Sequence, residues 1–219
     1  MADYFVVHMV HRTPFFLPWL YPTLTWRIAH ATKTIYLTFD DGPVAGPTEF
    51  VVDTLAAANV QATFFCIGDN VQKHPGIYES LLAQGHATGN HTYNHLNGWK
   101  TSTENYVDNV HACAAVMKKG SAARNRPLFR PPYGRISRAQ IELLEPSFNI
   151  VMWDVLTMDY RRTLSPDRCL RNTAQAVRDG SIVVFHDSIK AEKNLRYVLP
   201  KFIAHFKSLG YDFNVIPSS

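Results

Sequence analysis

Short apolar runs alternate with longer segments in which apolar residues recur every three or four positions. Continuous apolar runs are typical of strands buried on both faces, and the longer spacing is typical of amphipathic helices. The predicted strands cover residues 34–39, 62–67, 86–90, 127–130, 149–153, 181–185 and 211–216. The predicted helices cover residues 48–58, 75–84, 103–119, 165–178 and 192–208, and a shorter helix begins at Ser137. Thr48, Ser137 and Ser165 are predicted N-caps, and Gly120 is predicted to end the helix over residues 103–119.

The alternation of strands and helices with short links favours a parallel sheet covered by helices. We therefore predict an α/β fold, specifically a distorted (β/α)7 barrel whose functional face lies at the C-terminal strand ends. An open doubly wound sheet is the alternative, but the first strand leads into Asp40-Asp41-Gly42-Pro43 and not into a glycine-rich phosphate loop. Residues 1–30, rich in aromatic residues and proline towards their end, are predicted to form an apolar arm packed on the domain.

Composition excludes several functional classes. No stretch of the 219 residues approaches the run of about 18 apolar residues that a membrane helix needs. The net charge of +4 is spread along the chain apart from Lys118-Lys119 and Arg161-Arg162, so no nucleic-acid-binding surface is predicted. The three cysteines lack metal or disulfide spacing and are expected to be buried free thiols. No secretory leader pattern is visible, which leaves the compartment open.

Polar side chains follow the predicted strands at the points where the strands end. They are Asp40, Asp41, His91, Arg130, Asp154 and His186. Because the carboxyl ends of parallel strands meet at one face of a barrel, we expect these side chains to converge. The adjacent carboxylates of Asp40 and Asp41 would repel each other there unless a cation or a proton resolved the repulsion.

A metal site accounts for part of this set. His91 and His95 are four residues apart, so both imidazoles can lie on one side of a turn. With the Asp41 carboxylate they make a donor set that suits Zn²⁺ and leaves a position for water. Such an ion would lower the pKa of the water, and Asp40 could take its proton.

Two further residues complete a hydrolytic set. Arg130 has two possible roles, holding Asp40 ionised or clamping an anionic substrate, and we favour the first. His186 is suited to protonate a leaving group, because the pKa of an imidazole lies near neutrality. A metal-activated water, a carboxylate base and a histidine acid together indicate hydrolysis of an amide or an ester.

Four short motifs resemble those of the polysaccharide deacetylase family, which is carbohydrate esterase family four or the NodB-type homology domain. They are Thr38–Pro43, His91–His95, Arg130–Tyr133 and Phe185–Asp187. The resemblance extends over roughly residues 34–216 and implies that residues 31–219 form a distorted seven-stranded catalytic domain. It also implies removal of N-acetyl groups from N-acetylglucosamine in chitin oligomers or peptidoglycan, with Zn²⁺ or another divalent ion such as Co²⁺ or Ni²⁺.

Position by position, the resemblance implies that Asp40 is the general base and His186 the general acid. Arg130 would hold Asp40, and the backbone N–H of Tyr133 would help to stabilise the oxyanion. The metal ligands it implies are Asp41, His91 and His95. The substrate would be an N-acetylated glycan, and the protein is expected to be a monomer.

One segment departs from the family pattern. Leu156 stands where the family usually has an aspartate that pairs with the acid histidine. Asp154 or Asp159 could supply that charge, and we favour Asp154 because it directly follows a predicted strand. We place Asp154 on the substrate side together with Trp153 and Tyr160, whose rings could form an apolar wall for the acetyl methyl group. Core packing is the alternative for Trp153.

Two other hypotheses remain open at this point. A catalytically silent carbohydrate-binding protein would explain the departure at Leu156, although retention of Asp40 argues against it, because a binding protein needs the metal ligands more than the base. A hydrolase of a small non-sugar amide would keep the chemistry but predicts a closed pocket instead of an open groove.

Overall fold

The computed structural model describes residues 11–117 and 126–217. The first ten residues of the predicted arm, the Lys118-Lys119 pair and the predicted helix stop at Gly120 lie outside the described residues. The strands are β1 Thr34–Asp40, β2 Thr63–Cys66, β3 Ala87–Asn90, β4 Leu128–Phe129, β5 Asn149–Ile150, β6 Val155–Leu156, β7 Ile182–His186 and β8 Asp212–Phe213. The helices are α1 Leu17–Leu20, α2 Pro47–Ala57, α3 Gly68–Lys73, α4 Pro75–Ala83, α5 Thr103–Met117, α6 Arg138–Leu144, α7 Pro166–Ala176 and α8 Glu192–Ser208.

The strands form one sheet in which all pairs of named strands are parallel, in the order β5-β4-β3-β2-β1-β7-β6, and β8 pairs with the start of β1. The predicted distorted barrel of parallel strands is confirmed. One predicted strand differs: residues 149–153 do not form a single strand. β5 pairs with β4, and the chain then crosses to β6, which pairs with β7.

Residues of the N-terminal arm cover the gap between β5 and β6. Thr25 forms a bridge with Val151 beyond β5, and Arg12 forms one with Val155 of β6. The Thr25 backbone N–H donates to the Ile150 carbonyl at 2.9 Å. Unpaired edge strands expose hydrogen-bonding groups, and these contacts satisfy part of both edges. The described part of the arm therefore packs on the barrel, whereas the domain boundary at residue 30 stays a prediction.

Aromatic side chains fill the core between β1 and α8. The Phe39 ring stacks on Phe64 and Phe185 at centroid distances of 5.0 and 5.9 Å, and Phe202 from α8 packs edge-on against Phe185. Burial of each such ring contributes about 1.5–3 kcal/mol. The three cysteines are buried free thiols, as predicted. Among the described residues, no helix is both long and apolar enough to cross a bilayer.

Serine caps begin two helices as predicted, Ser137 at α6 and Ser165 at α7. The predicted Thr48 cap of α2 is wrong, because Thr48 lies inside the helix. The Glu49 carboxylate instead accepts a hydrogen bond from the backbone that precedes α2. The Thr48 hydroxyl donates to the buried Asp187 carboxylate at 2.6 Å, which ties α2 to the end of β7. The position of Thr48 is therefore determined by tertiary structure.

Candidate active site

The C-terminal strand ends meet at a cleft of about 480 Å³. Five of the six residues predicted to converge are at this face, with Arg130 beneath the cleft; Asp154 is the exception. The predicted site residues that line the cleft are Asp40, Asp41, His91, His95, Tyr133, Trp153, Tyr160 and His186. The parallel sheet therefore brings together side chains that are far apart in sequence.

Arg130 lies beneath the cleft and holds Asp40. Its guanidinium Nη1 donates to Asp40 Oδ1 and to Thr38 Oγ1, both at 2.7 Å, and Nη2 donates to the Met152 carbonyl at 2.9 Å. The guanidinium carbon is 4.0 Å from the Phe65 ring centroid. With an exposed fraction of 0%, Arg130 cannot clamp a substrate from solvent. The geometry favours the predicted role of fixing an ionised Asp40.

Asp41, His91 and His95 form a cluster in which one ligand atom from each lies within 4.8 Å of the others. Asp41 Oδ1 is 3.2 Å from His95 Nε2 and 3.8 Å from His91 Nε2. The other ring nitrogen of His91, Nδ1, is 2.8 Å from the Arg130 carbonyl, so it is the donor there and Nε2 is left with its lone pair. The three ligand atoms are therefore close enough together for one ion to contact all of them.

The electrostatics of this cluster fit a divalent cation. Burial lowers the pKa of His91 to about 4, which keeps its ring neutral and able to act as a ligand. Burial alone would raise the pKa of Asp41, but the hydrogen bond to His95 and the nearby histidines bring it well below its usual value. One carboxylate and neutral imidazole nitrogen are donors that suit Zn²⁺ and similar ions.

Three candidate site residues adopt a left-handed backbone that non-glycine residues rarely use. Their φ angles are 86° at Asp41, 56° at His95 and 60° at Tyr133. Each such residue costs about 1–3 kcal/mol unless its surroundings hold it, and such strain clusters at functional sites. The Asn70 amide donates to the Asp41 carbonyl at 2.7 Å and so helps to hold the first of these turns.

Asp187 anchors the turn after β1, a role that the sequence analysis missed. Its carboxylate accepts hydrogen bonds from the Gly42 backbone N–H at 3.0 Å and from Thr48. A Cβ at Gly42 would lie 2.0 Å from Asp187 Oδ2, so only glycine fits there. Burial raises the pKa of Asp187 to about 8, although the Thr48 bond opposes the rise. Successive side chains along a strand point to opposite faces. This alternation is the sequence signal that places Asp187 on the side opposite to His186, which faces the cleft.

His186 is paired with Asp159. Its Nδ1 is 2.8 Å from Asp159 Oδ1, and its backbone N–H donates to Asp159 Oδ2 at 2.8 Å. The Asn194 amide donates to the Asp159 carbonyl at 2.8 Å and thereby fixes this segment on α8. Because Nδ1 faces the carboxylate, Nε2 of His186 is the nitrogen available to the cleft.

The expectation that Asp154 supports His186 and faces the substrate is wrong. Asp154 is 2% exposed, and its carboxylate accepts hydrogen bonds from Arg178 at 2.7 and 3.0 Å and from Ser181 at 2.7 Å. The reason is the divided strand: Asp154 precedes β6, level with Ile182 at the start of β7. Asp159 follows β6 and lies at the end where β7 delivers His186.

The side walls of the cleft are aromatic and apolar. Trp153 and Tyr160 are half-buried and line the cleft, and the Tyr160 ring packs edge-on against His186 at 4.9 Å. Leu156, where the family pattern has an aspartate, lines the same cleft. The departure therefore adds an apolar side chain to the wall, while Asp159 supplies the carboxylate from three positions later.

We expect Asp159→Asn to lower the pKa of His186. Burial lowers this pKa, but the Asp159 carboxylate outweighs it and the pKa rises to about 9. Without that charge, the value should fall towards or below the ordinary 6.5. Since the folded-state pKa is raised, the pair stabilises the fold fully below about pH 6.5, and this stability is lost as the pH rises through about 9.

An NMR titration of the histidine rings measures this change directly. Asp154→Asn is the matched control and should leave the His186 titration unchanged, since its carboxylate is bonded to Arg178 and Ser181. A shift in the control as large as that in Asp159→Asn would contradict the assignment of the partner.

Comparison with known proteins gives similarities over most of the chain. A family model described as polysaccharide deacetylase matches residues 27–146. A peptidoglycan-N-acetylglucosamine deacetylase of Bacillus cereus is 34% identical over 187 residues, which are 84% of this chain and 67% of the relative. A chitooligosaccharide deacetylase of Bradyrhizobium sp. is 31% identical over 157 residues, 71% of each chain.

Solved structures show the same fold. The Bc1960 peptidoglycan N-acetylglucosamine deacetylase, solved in complex with 4-naphthalen-1-yl-N-oxidanyl-benzamide, superimposes with a TM-score of 0.84 at 31% identity. The superposition covers 94% of this chain and 96% of that one. The shared fold therefore extends along almost the whole length of both chains.

Proposed function

Because this chain belongs to the polysaccharide deacetylase family, we propose that it hydrolyses the N-acetyl group of N-acetylglucosamine residues in peptidoglycan, releasing acetate. The observation that supports this proposal most directly is the cluster of Asp41, His91 and His95 beside Asp40, with His186 lining the same cleft. Similarity to relatives named for peptidoglycan supports this substrate first, and similarity to one named for chitooligosaccharides supports chitin oligomers second.

Asp41, His91 and His95 would hold Zn²⁺ or another divalent ion such as Co²⁺ or Ni²⁺. When bound, the ion supplies Lewis-acid chemistry, which lowers the pKa of water and polarises a carbonyl oxygen. The charge state of the donors supports this role, because the histidine with the lowered pKa stays neutral.

Asp40 acts as the general base. Arg130 holds it through Oδ1, and the carboxylate accepts the proton of the attacking water at its second oxygen. Arg130 keeps the base ionised without contacting the substrate itself. The backbone N–H of Tyr133, on a left-handed turn beside the His95 ring, stabilises the negative charge that develops on the amide oxygen.

His186 acts as the general acid towards the leaving nitrogen. With its pKa at about 9, the ring stays protonated at neutral pH, and Nε2 carries the proton into the cleft. Trp153, Tyr160 and Leu156 form the apolar wall that receives the acetyl methyl group. This wall excludes water from the side of the amide that does not react.

Removal of a metal ligand should weaken zinc binding strongly. We expect His95→Ala to weaken the affinity for Zn²⁺ by at least about 100-fold, since loss of even an indirect ligand partner costs 10- to 100-fold. His205→Ala removes an exposed histidine of α8 and is the control. Calorimetric titration of metal-stripped protein measures both. Equal affinities in the two variants would move the metal site away from this cluster.

Product assays on three substrates test the proposed function, with acetate release followed for the two glycans and ring opening followed for a small cyclic amide. Peptidoglycan and chitopentaose should release acetate, and a small cyclic amide should not be hydrolysed. The 58% exposure of the Tyr133 ring at the rim favours an open groove over the closed pocket of a small-amide hydrolase. Binding of a glycan without acetate release would favour the silent carbohydrate-binding protein instead. The monomeric state stays a prediction.

A further inference from the structure

A second, apolar groove of about 370 Å³ adjoins the candidate active-site cleft. Tyr133, Trp153 and Leu156 line both depressions, so the groove continues the cleft outwards along a shared wall. Trp99 lines the groove and is 68% exposed. Tyr133, which is 58% exposed, lines the same groove, so two exposed aromatic side chains border one depression.

Trp99 is held in a defined position although its ring is exposed. The indole Nε1 donates to the Ile136 carbonyl at 3.1 Å, and the Trp99 backbone N–H donates to the Asn97 side chain at 3.1 Å. The buried Gln140 amide donates to the Gly98 carbonyl at 2.9 Å and docks this turn on α6. The polar atom of the ring is thus satisfied, and its apolar faces remain for a ligand.

A cation lies beside this aromatic surface. The Arg135 guanidinium carbon is 5.3 Å from the Trp99 ring and 5.9 Å from the Tyr133 ring. The Tyr133 ring is in turn 4.6 Å from His95 of the metal cluster. A series of aromatic faces with hydrogen-bond donors between them therefore runs from the candidate metal centre to Trp99.

We infer that Trp99 is a stacking platform for a sugar residue of the glycan chain beyond the residue that is deacetylated. A pyranose has an apolar face of C–H groups and a rim of hydroxyl groups, which match an indole face and an adjacent guanidinium. The inference rests on the proposed function, because the shared wall leads a chain bound in the cleft into this groove. Trp99 then sets the preference for longer substrates.

The test compares Trp99→Ala with wild type on chitobiose and chitohexaose. We expect KM for chitohexaose to rise about tenfold, as for loss of a central aromatic contact, and KM for chitobiose to change much less. Trp99→Phe keeps a stacking face and should restore most of the preference for the longer chain. Leu143→Ala removes another exposed apolar side chain, on α6 and outside both depressions, and is the control.

Calorimetric binding of chitohexaose separates this inference from the proposed function. If wild type binds chitohexaose but releases acetate from neither chitohexaose nor peptidoglycan, the proposed function fails, and the ratio of dissociation constants for Trp99→Ala and wild type still decides the inference. The inference would be overturned if Trp99→Ala raised KM equally for chitobiose and chitohexaose, or if it bound chitohexaose as tightly as wild type does. It would also be overturned if wild type did not bind chitohexaose. A changed oligomeric state with unchanged glycan binding would also overturn it and would make the groove an interface between copies.

Discussion

Asp40→Asn should reduce kcat/KM for acetate release by about 10³-fold, within the range that general acid–base catalysis contributes. The amide of asparagine has the shape of the carboxylate but cannot accept the proton of the attacking water. Zinc affinity should change far less, since the candidate ligands are Asp41 and two histidines. Steady-state acetate release and zinc titration on the same preparation measure the two effects.

Asp53→Asn, at an exposed position of α2, is the control for Asp40→Asn and should keep full activity. Retention of wild-type activity in Asp40→Asn would remove Asp40 as the base. A parallel loss of zinc binding and activity would instead make Asp40 part of the metal site.

Arg130→Met should destabilise the protein by about 3–5 kcal/mol, the typical cost of leaving a buried charge without its partner. The substitution leaves the Asp40 carboxylate, 4% exposed, and the Met152 carbonyl without the guanidinium that bonds both. For a chain of this size, the Tm should fall by roughly 10 °C. Activity should also fall, because Asp40 loses the hydrogen bond that holds its carboxylate in place.

Thermal unfolding of Arg130→Met is best compared with Arg196→Met. Arg196 pairs with Glu192 one turn away on α8 and is half exposed, and such pairs contribute less than about 1 kcal/mol. Adding Asp40→Asn to Arg130→Met should recover part of the lost stability, since no buried charge is then left unpaired. Equal effects of the two arginine substitutions would show that the buried pair has no special importance for stability.

The sequence predicts the parts of the site that depend on strand ends. The uncharged run of β1 stops at Asp40-Asp41-Gly42-Pro43, and the run of β7 stops at His186, so their meeting follows from parallel topology alone. Likewise, Ser137 and Ser165 are caps whose local hydrogen bonds need no tertiary context. These features were predictable because the residues that determine them are adjacent in sequence.

The choice between Asp154 and Asp159 was not predictable in this way. The run from residue 150 to 153 is continuously apolar, and nothing in it marks the point at which the chain leaves its neighbour β4 and crosses to β7. The crossing leaves a gap that Thr25 and Arg12 of the arm cover, so it depends on contacts more than a hundred residues apart. Thr48 is similar, because its partner Asp187 is 139 positions away.

Acetate release during zinc titration of the metal-stripped protein tests the central claim most directly. With peptidoglycan as substrate, acetate release by wild type should rise in proportion to zinc occupancy and reach a plateau near one ion per chain, while Asp40→Asn binds zinc and stays at background. Equal acetate release by stripped and zinc-loaded wild type, or full zinc occupancy without acetate from peptidoglycan or chitopentaose, would contradict a metal-dependent sugar deacetylase.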